Sequence, residues 1–223
     1  MSIGAVIFDC DGTLVDSESL GLNAIVSEAR ALGAAFESAE ALIELKGQPM
    51  ALCLQAVEQR LGRALPRDFE QTVRRRMAEH FRERLQPMPE AARTLAALHV
   101  PFCVASNGPR AKTELTLGIT GLLPLFEGRI FSAYDVGSWK PDPGLFLHAA
   151  RAMGVAAQQC AVVEDSEPGV RAGLAAGMTV YVLRSAQALP GALATRVQYL
   201  DALSELIGSP WNRPDAAAWP RTP

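Results

Sequence analysis

Ile3-Gly4-Ala5-Val6-Ile7-Phe8-Asp9-Cys10-Asp11-Gly12-Thr13-Leu14-Val15-Asp16 joins an apolar run to a cluster of carboxylates with nothing between them. A continuous apolar run such as Ile3 to Phe8 is the pattern of a strand covered on both faces, as in parallel sheets. Ligands of open α/β sheets bind just beyond the carboxyl ends of such strands, which is where Asp9 and Asp11 fall. Side chains two apart in an extended segment face the same way, so these two carboxylates converge on one small volume. Like charges held that close require a cation or a shared proton. The alternative is that both acids merely cap a loop. Gly12 permits a backbone turn that a Cβ would resist.

Outward from this stretch, short β-branched or apolar runs alternate with helical patterns: Phe102 to Ala105, Arg129 to Ser132, Ala161 to Val163 and Thr179 to Val182. That alternation predicts an α/β protein with a parallel sheet and helices on both faces. From about Asp16 to Leu85 the periodicity is helical, with Phe69, Val73, Met77 and Phe81 at a spacing of four, and no convincing strand intervenes. The expected organisation is therefore a core of residues 1–15 and 88–208, an inserted helical domain over 16–87, and a Pro-rich tail over 209–223. Pro87 and Pro89 break any helix at the return crossing. Arg74, Arg75, Arg76, Arg82 and Arg84 on one helix read as a solvated face. The tail carries four prolines and two tryptophans and is expected to be irregular, docked through Trp211 and Trp219 or loose.

Composition restricts the classes of function. The 223 residues are 49% hydrophobic and 20% charged, ordinary for a soluble globular protein with a sizeable core. No segment reaches the roughly 20 apolar residues that span a bilayer. The first apolar run is too short and lacks the basic flank of a signal peptide, so a cytoplasmic location is expected. A net charge of −3 argues against general affinity for nucleic acid. Cys10, Cys53, Cys103 and Cys160 lack zinc or disulfide spacing and are expected as buried thiols. His80, His99 and His148 lack ligand spacing and read as structural or surface residues.

Other predicted strand ends also carry chemistry. Ser106-Asn107-Gly108-Pro109 offers a hydroxyl and an amide at a loop that opens a helix, with Pro109 suited to its first turn, and exposed amides there bind phosphate. Lys140-Pro141-Asp142-Pro143 holds a lysine in an extended segment. Glu164-Asp165-Ser166-Glu167-Pro168-Gly169 supplies a second acidic pair at the head of a helix. Each has a bland alternative, an N-cap, a surface lysine or a solvated loop, but acids, a hydroxyl and a lysine all fall at one sheet edge.

Asp9-x-Asp11-Gly-Thr-x-x-Asp16, Ser106-Asn, Lys140-Pro and Glu164-Asp165-Ser166 resemble, in order and spacing across nearly the whole chain, the four motifs of the haloacid dehalogenase superfamily. The helical insertion resembles the cap of its subfamily I, which includes phosphoglycolate phosphatases and β-phosphoglucomutases. Ser106-Asn-Gly-Pro, Ile130-Phe-Ser-Ala-Tyr-Asp-Val and Trp139-Lys-Pro-Asp-Pro resemble, more narrowly, sugar-phosphate phosphatases of the 6-phosphogluconate phosphatase type. The resemblance implies a Rossmann-like core under a helical cap. It also implies Mg²⁺-dependent hydrolysis of a small sugar or sugar-acid phosphate, with 6-phosphogluconate the expected substrate, through an aspartyl-phosphate. By that resemblance Asp9 is the nucleophile, Asp11 the general acid and base, and Ser106 and Lys140 hold the phosphoryl group. Asn107 and Lys46 contact substrate; Asp9, Asp165 and the backbone carbonyl of Asp11 hold the metal, with Glu164 behind them.

Dehalogenases of the superfamily lack an acid at the place of Asp11, so phosphoryl transfer is expected. Mutases carry a histidine in the early cap helix where this chain has Gly21, so water is the expected acceptor; the alternatives are β-phosphoglucomutase-like transfer and phosphoglycolate hydrolysis. A catalytically silent binding protein of the same fold should have lost one of Asp9, Asp11, Lys140 or Asp165, and all four are present. The expected partner is a small phosphorylated metabolite, met by a monomer or weak dimer.

Overall fold

The computed structural model describes residues 3–36, 45, 49–184 and 189–214. By internal contacts the chain divides into two units, one made of the segment through Val15 together with everything from Pro87 on, the other Asp16–Gln86.

The first unit is built on six parallel strands: β1 (Ala5–Phe8), β2 (Phe102–Ser106), β3 (Ile130–Ser132), β4 (Cys160–Glu164), β5 (Thr179–Leu183) and β6 (Gln198–Leu200). Their order across the sheet is β3-β2-β1-β4-β5-β6. Strand β1 lies between β2 and β4, with Phe8 opposite Val104 on one side and Val163 on the other. The chain builds outward from β1 in one direction, then returns and builds in the other, so the end of β1 is the switch point where such sheets open a ligand crevice. All four residues of β1 are buried, which is why it reads as an uninterrupted apolar run.

Helices cover the sheet: α4 (Ala91–Ala97), α5 (Arg110–Ile119), α6 (Ala133–Val136), α7 (Gly144–Ala152), α8 (Glu167–Ala175) and α9 (Gly191–Ala194) in this unit. Ile7, Ala105 and Val162 from the strands pack with Phe146 of α7 and Val170 of α8 in one buried cluster. Strand β6 is not expected from the sequence. It has three residues at the sheet edge, and only Leu200 is buried, too little pattern for an edge strand to show. At the start of the tail, Trp211 donates its indole N–H to the Tyr181 hydroxyl at 2.9 Å, and the Asn212 side chain binds the backbone of His99, Ala97 and Ile207. Trp219 lies outside the described residues.

The second unit is helical where described, with α1 (Glu18–Ala31), α2 (Met50–Leu61) and α3 (Phe69–Arg84). Phe69, Val73 and Phe81 of the expected stripe are buried. Arg74 pairs with Glu70, and Arg76 with Glu28 and Glu79, along the solvated face. Gly21 is buried in α1, where an added Cβ would meet the Met77 Cε of α3 at 3.5 Å. All four cysteines are free and buried, and among the described residues no helix is long and apolar enough to cross a membrane.

Candidate active site

Asp9 is the first residue beyond β1, and its backbone N–H is tied to Val163 of β4 at 2.9 Å. The chain then turns at Gly12, whose φ of +78° only glycine adopts without strain. Glycine is needed at this position for a second reason, since a Cβ built on it would lie 1.9 Å from Asp165 Oδ2. The missing side chain is the space that the Asp165 carboxylate occupies.

Strand ends deliver the rest. Ser106 closes β2, is buried, and accepts the Gly108 N–H at 3.0 Å. Lys140 reaches in from the loop before α7, its own peptide bond to Pro141 being cis, with its side chain only 2% exposed. Its ammonium donates to Asp9 Oδ1 at 2.5 Å and to Glu164 Oε1 at 2.6 Å and lies 4.8 Å from the centre of the Phe146 ring. Glu164 ends β4 and is completely buried. Its Oε2 accepts from the backbone of Asp165 and Ser166 and from the Ser166 hydroxyl. A Cβ at Gly169 would overlap this carboxylate at 1.8 Å, so α8 can begin close beneath it only because residue 169 is glycine.

Asn107, expected to touch substrate, has its amide spent on another residue here. Its Oδ1 accepts the Lys140 N–H at 2.9 Å and its Nδ2 donates to the Lys140 carbonyl at 3.2 Å, a two-point clamp that fixes the backbone from which the lysine projects. Lys46 lies outside the described residues. Asp11 points its Oδ2 at Lys112 Nζ, 2.6 Å away on α5. Reasoning from sequence missed Lys112, which lies in the helix that the Ser106–Pro109 loop opens, three residues beyond that motif.

Burial pushes the Asp9 carboxyl up to about 7; Lys140 opposes that shift, and Glu164 and Asp11 add to it. Burial works against the Lys140 ammonium, but Asp9 and Glu164 outweigh it and its pKa is raised. The same contest at Lys112, burial against Asp11, also ends raised. Each cation is therefore held charged by the carboxylates it faces.

Carboxylate oxygens of Asp9, Glu164 and Asp165 lie within 4.8 Å of one another, the one such group among the described residues. An all-oxygen set without Cys or His suits a hard divalent cation, and the Gly12 cradle for Asp165 fits that use. Glu164 is already occupied by Lys140 and by three donors of its own loop, which makes Asp9 and Asp165 the carboxylates better suited to a metal.

Known proteins resemble this chain in sequence and fold. The family model for haloacid dehalogenase-like hydrolases matches residues 3–177. The 6-phosphogluconate phosphatase of Escherichia coli is 38% identical over 180 residues, 80% of this chain and 81% of that protein. A probable pseudouridine-5'-phosphatase of Drosophila melanogaster is 34% identical over 189 residues, covering 79% and 80%. The crystal structure of a HAD family hydrolase from Deinococcus radiodurans with bound phosphate and sodium superposes with a TM-score of 0.74 at 32% identity, over 92% of this chain and 93% of that one. With the family model spanning the whole first motif through β4 and α8, the chain belongs to the haloacid dehalogenase-like hydrolases.

Proposed function

We propose that this hydrolase is a Mg²⁺-dependent phosphatase of small sugar or sugar-acid phosphates, working in the cytoplasm, with 6-phosphogluconate the first candidate substrate. The observation that carries it is the placement of Asp9 at the switch point of the sheet, paired with buried Lys140 and grouped with Asp165. The substrate class rests on the similarity to the E. coli 6-phosphogluconate phosphatase, and the anion on the phosphate named with the Deinococcus structure.

In this mechanism an Asp9 carboxylate oxygen attacks phosphorus. The bond from phosphorus to the ester oxygen breaks, its electron pair stays with the leaving oxygen, and Asp11 gives that oxygen a proton. Asp11 then takes a proton from water, which attacks the phosphorus of phospho-Asp9 and restores the carboxylate. One difficult displacement becomes two easier ones, and proton transfer by a placed carboxyl contributes on the order of 10²- to 10⁴-fold. Lys140 neutralises Asp9 so that the phosphate dianion can approach it. The Ser106 hydroxyl and the backbone N–H groups that open α5 hold the phosphoryl oxygens. Asp9, Asp165 and the Asp11 carbonyl would hold Mg²⁺, whose charge offsets that of the phosphoryl group. The inserted helical unit is the cap in this scheme. Gly21 stands where the mutases carry histidine, which favours water as acceptor.

The test is inorganic phosphate release from 6-phosphogluconate, hexose and pentose phosphates, phosphoglycolate and β-glucose 1-phosphate, with Mg²⁺ and with chelator. Release that requires metal and is fastest with 6-phosphogluconate is the expected result. Release that chelator leaves intact removes the metal. Conversion of β-glucose 1-phosphate to another ester without free phosphate makes the protein a mutase.

A further inference from the structure

Only three of the 21 Lys and Arg residues are lysines, at 46, 112 and 140. The two within the described residues both pair with the aspartates of the first motif: Lys140 with Asp9 and Lys112 with Asp11. Among the described residues the other ion pairs are made by arginine, as in Arg93–Glu90, Arg171–Glu167 and Arg110–Asp135, with side chains 41% to 73% exposed, and Arg76–Glu28, with side chains 46% and 14% exposed. The Lys112–Asp11 pair is of another kind. It joins residues 101 apart in sequence, and its side chains are 28% and 29% exposed.

Three groups gather around the backbone of Gly108. A Cβ there would lie 3.3 Å from Ser106 Oγ, 3.4 Å from Lys112 Cδ and 4.0 Å from Asp11 Oδ2. The lysine stem therefore passes over Gly108 beside the hydroxyl assigned to the phosphoryl group and ends on Asp11. Helix α5 anchors that stem, with the Lys112 N–H donating to Pro109 at 3.0 Å in the first turn. An ammonium is a compact charge on a flexible stem, whereas a guanidinium is a wide planar fork. In a chain that uses arginine at 18 basic positions, the choice of lysine at 112 matches the narrow space above a glycine.

We propose that Lys112 is a positioning residue for proton transfer: by holding Asp11 Oδ2 it stops rotation of the carboxyl and aims the group at the leaving oxygen of the substrate. The assignment rests on the phosphatase chemistry above. Such orientation matters because a proton donor must come within hydrogen-bond reach of the departing atom. As the Asp9 oxygen bonds to phosphorus and the bond from phosphorus to the ester oxygen breaks, the leaving oxygen keeps the electron pair and takes a proton carried on Asp11 Oδ1, Oδ2 being the oxygen that Lys112 holds. Lys112 itself neither gains nor loses one.

The leaving group separates this role from others. An alkyl sugar phosphate needs the proton, whereas p-nitrophenyl phosphate departs as a stable phenolate and does not. The comparison uses kcat/KM, which reads the steps through cleavage of the ester bond and is blind to later hydrolysis of phospho-Asp9. Lys112→Met is expected to lower kcat/KM for the best sugar phosphate on the order of 10- to 100-fold, the usual cost of losing an orienting partner. The loss on p-nitrophenyl phosphate should be smaller by about tenfold or more. Lys112→Arg should restore part of the difference, and Lys112→Met in an Asp11→Asn background should add no further loss. Equal losses on the two esters would overturn the proposal, since damage to the fold or direct contact with phosphate lowers both alike. A further loss in the Asp11→Asn background would overturn it as well. Wild-type protein that cleaves neither ester would instead overturn the phosphatase assignment, a result distinct from an active enzyme with equal losses.

Discussion

Asp9→Asn should fold, melt within a few degrees of wild type, and release phosphate at least about four orders of magnitude more slowly, as when the nucleophile of a catalytic group acting as a unit is removed. Both halves follow from the same surroundings. Asparagine cannot form the acyl phosphate, so the two-step route is closed. The site disfavours a charged Asp9, pushing its carboxyl up to about 7 through burial and the neighbouring acids, so a neutral amide of the same shape removes an unfavourable charge. Lys140 still has Glu164 at 2.6 Å. Thermal melting together with a phosphate-release assay checks the pair of outcomes; appreciable turnover by the variant would remove Asp9 as nucleophile.

Lys140→Met should do the opposite to stability. It leaves Asp9 and fully buried Glu164 facing each other with no cation between them. Breaking a buried ion pair by deleting one partner costs about 3–5 kcal/mol. In a domain of this size that is a fall in Tm of roughly 6–20 °C. Turnover should fall by about 10²- to 10³-fold or more, since a fixed charge at the reacting group is lost. Melting in the presence of chelator reads the structural cost without interference from bound metal. A variant as stable as wild type would mean that the two carboxylates do not depend on this lysine.

The contrast between these variants shows what the sequence could and could not convey. Asp9, Ser106, Lys140 and Glu164–Asp165 were legible because each follows a buried strand or its loop directly, and side chains at the carboxyl edge of a parallel sheet have little choice of direction. Five strands were legible for the same reason, as apolar runs bounded by polar turns, while three-residue β6 carried too few buried positions to register. What stayed hidden were the pairings. That Asn107 clamps the backbone of Lys140, 33 residues away, or that Lys112 meets Asp11, depends on how loops cross in space. The close approaches to Gly12 and Gly169 were equally invisible, because a glycine that makes room for a carboxylate looks in sequence like one that makes a turn.

Hydrolysis through phospho-Asp9 can be caught in the act by quenching the enzyme in acid during turnover of its best phosphate ester and weighing the proteolytic fragments. The peptide containing Asp9 should carry one added phosphoryl group, absent before substrate is added and absent in Asp9→Asn. Phosphate release with no phosphoryl group on that peptide, or with the group on another residue, would contradict hydrolysis through phospho-Asp9.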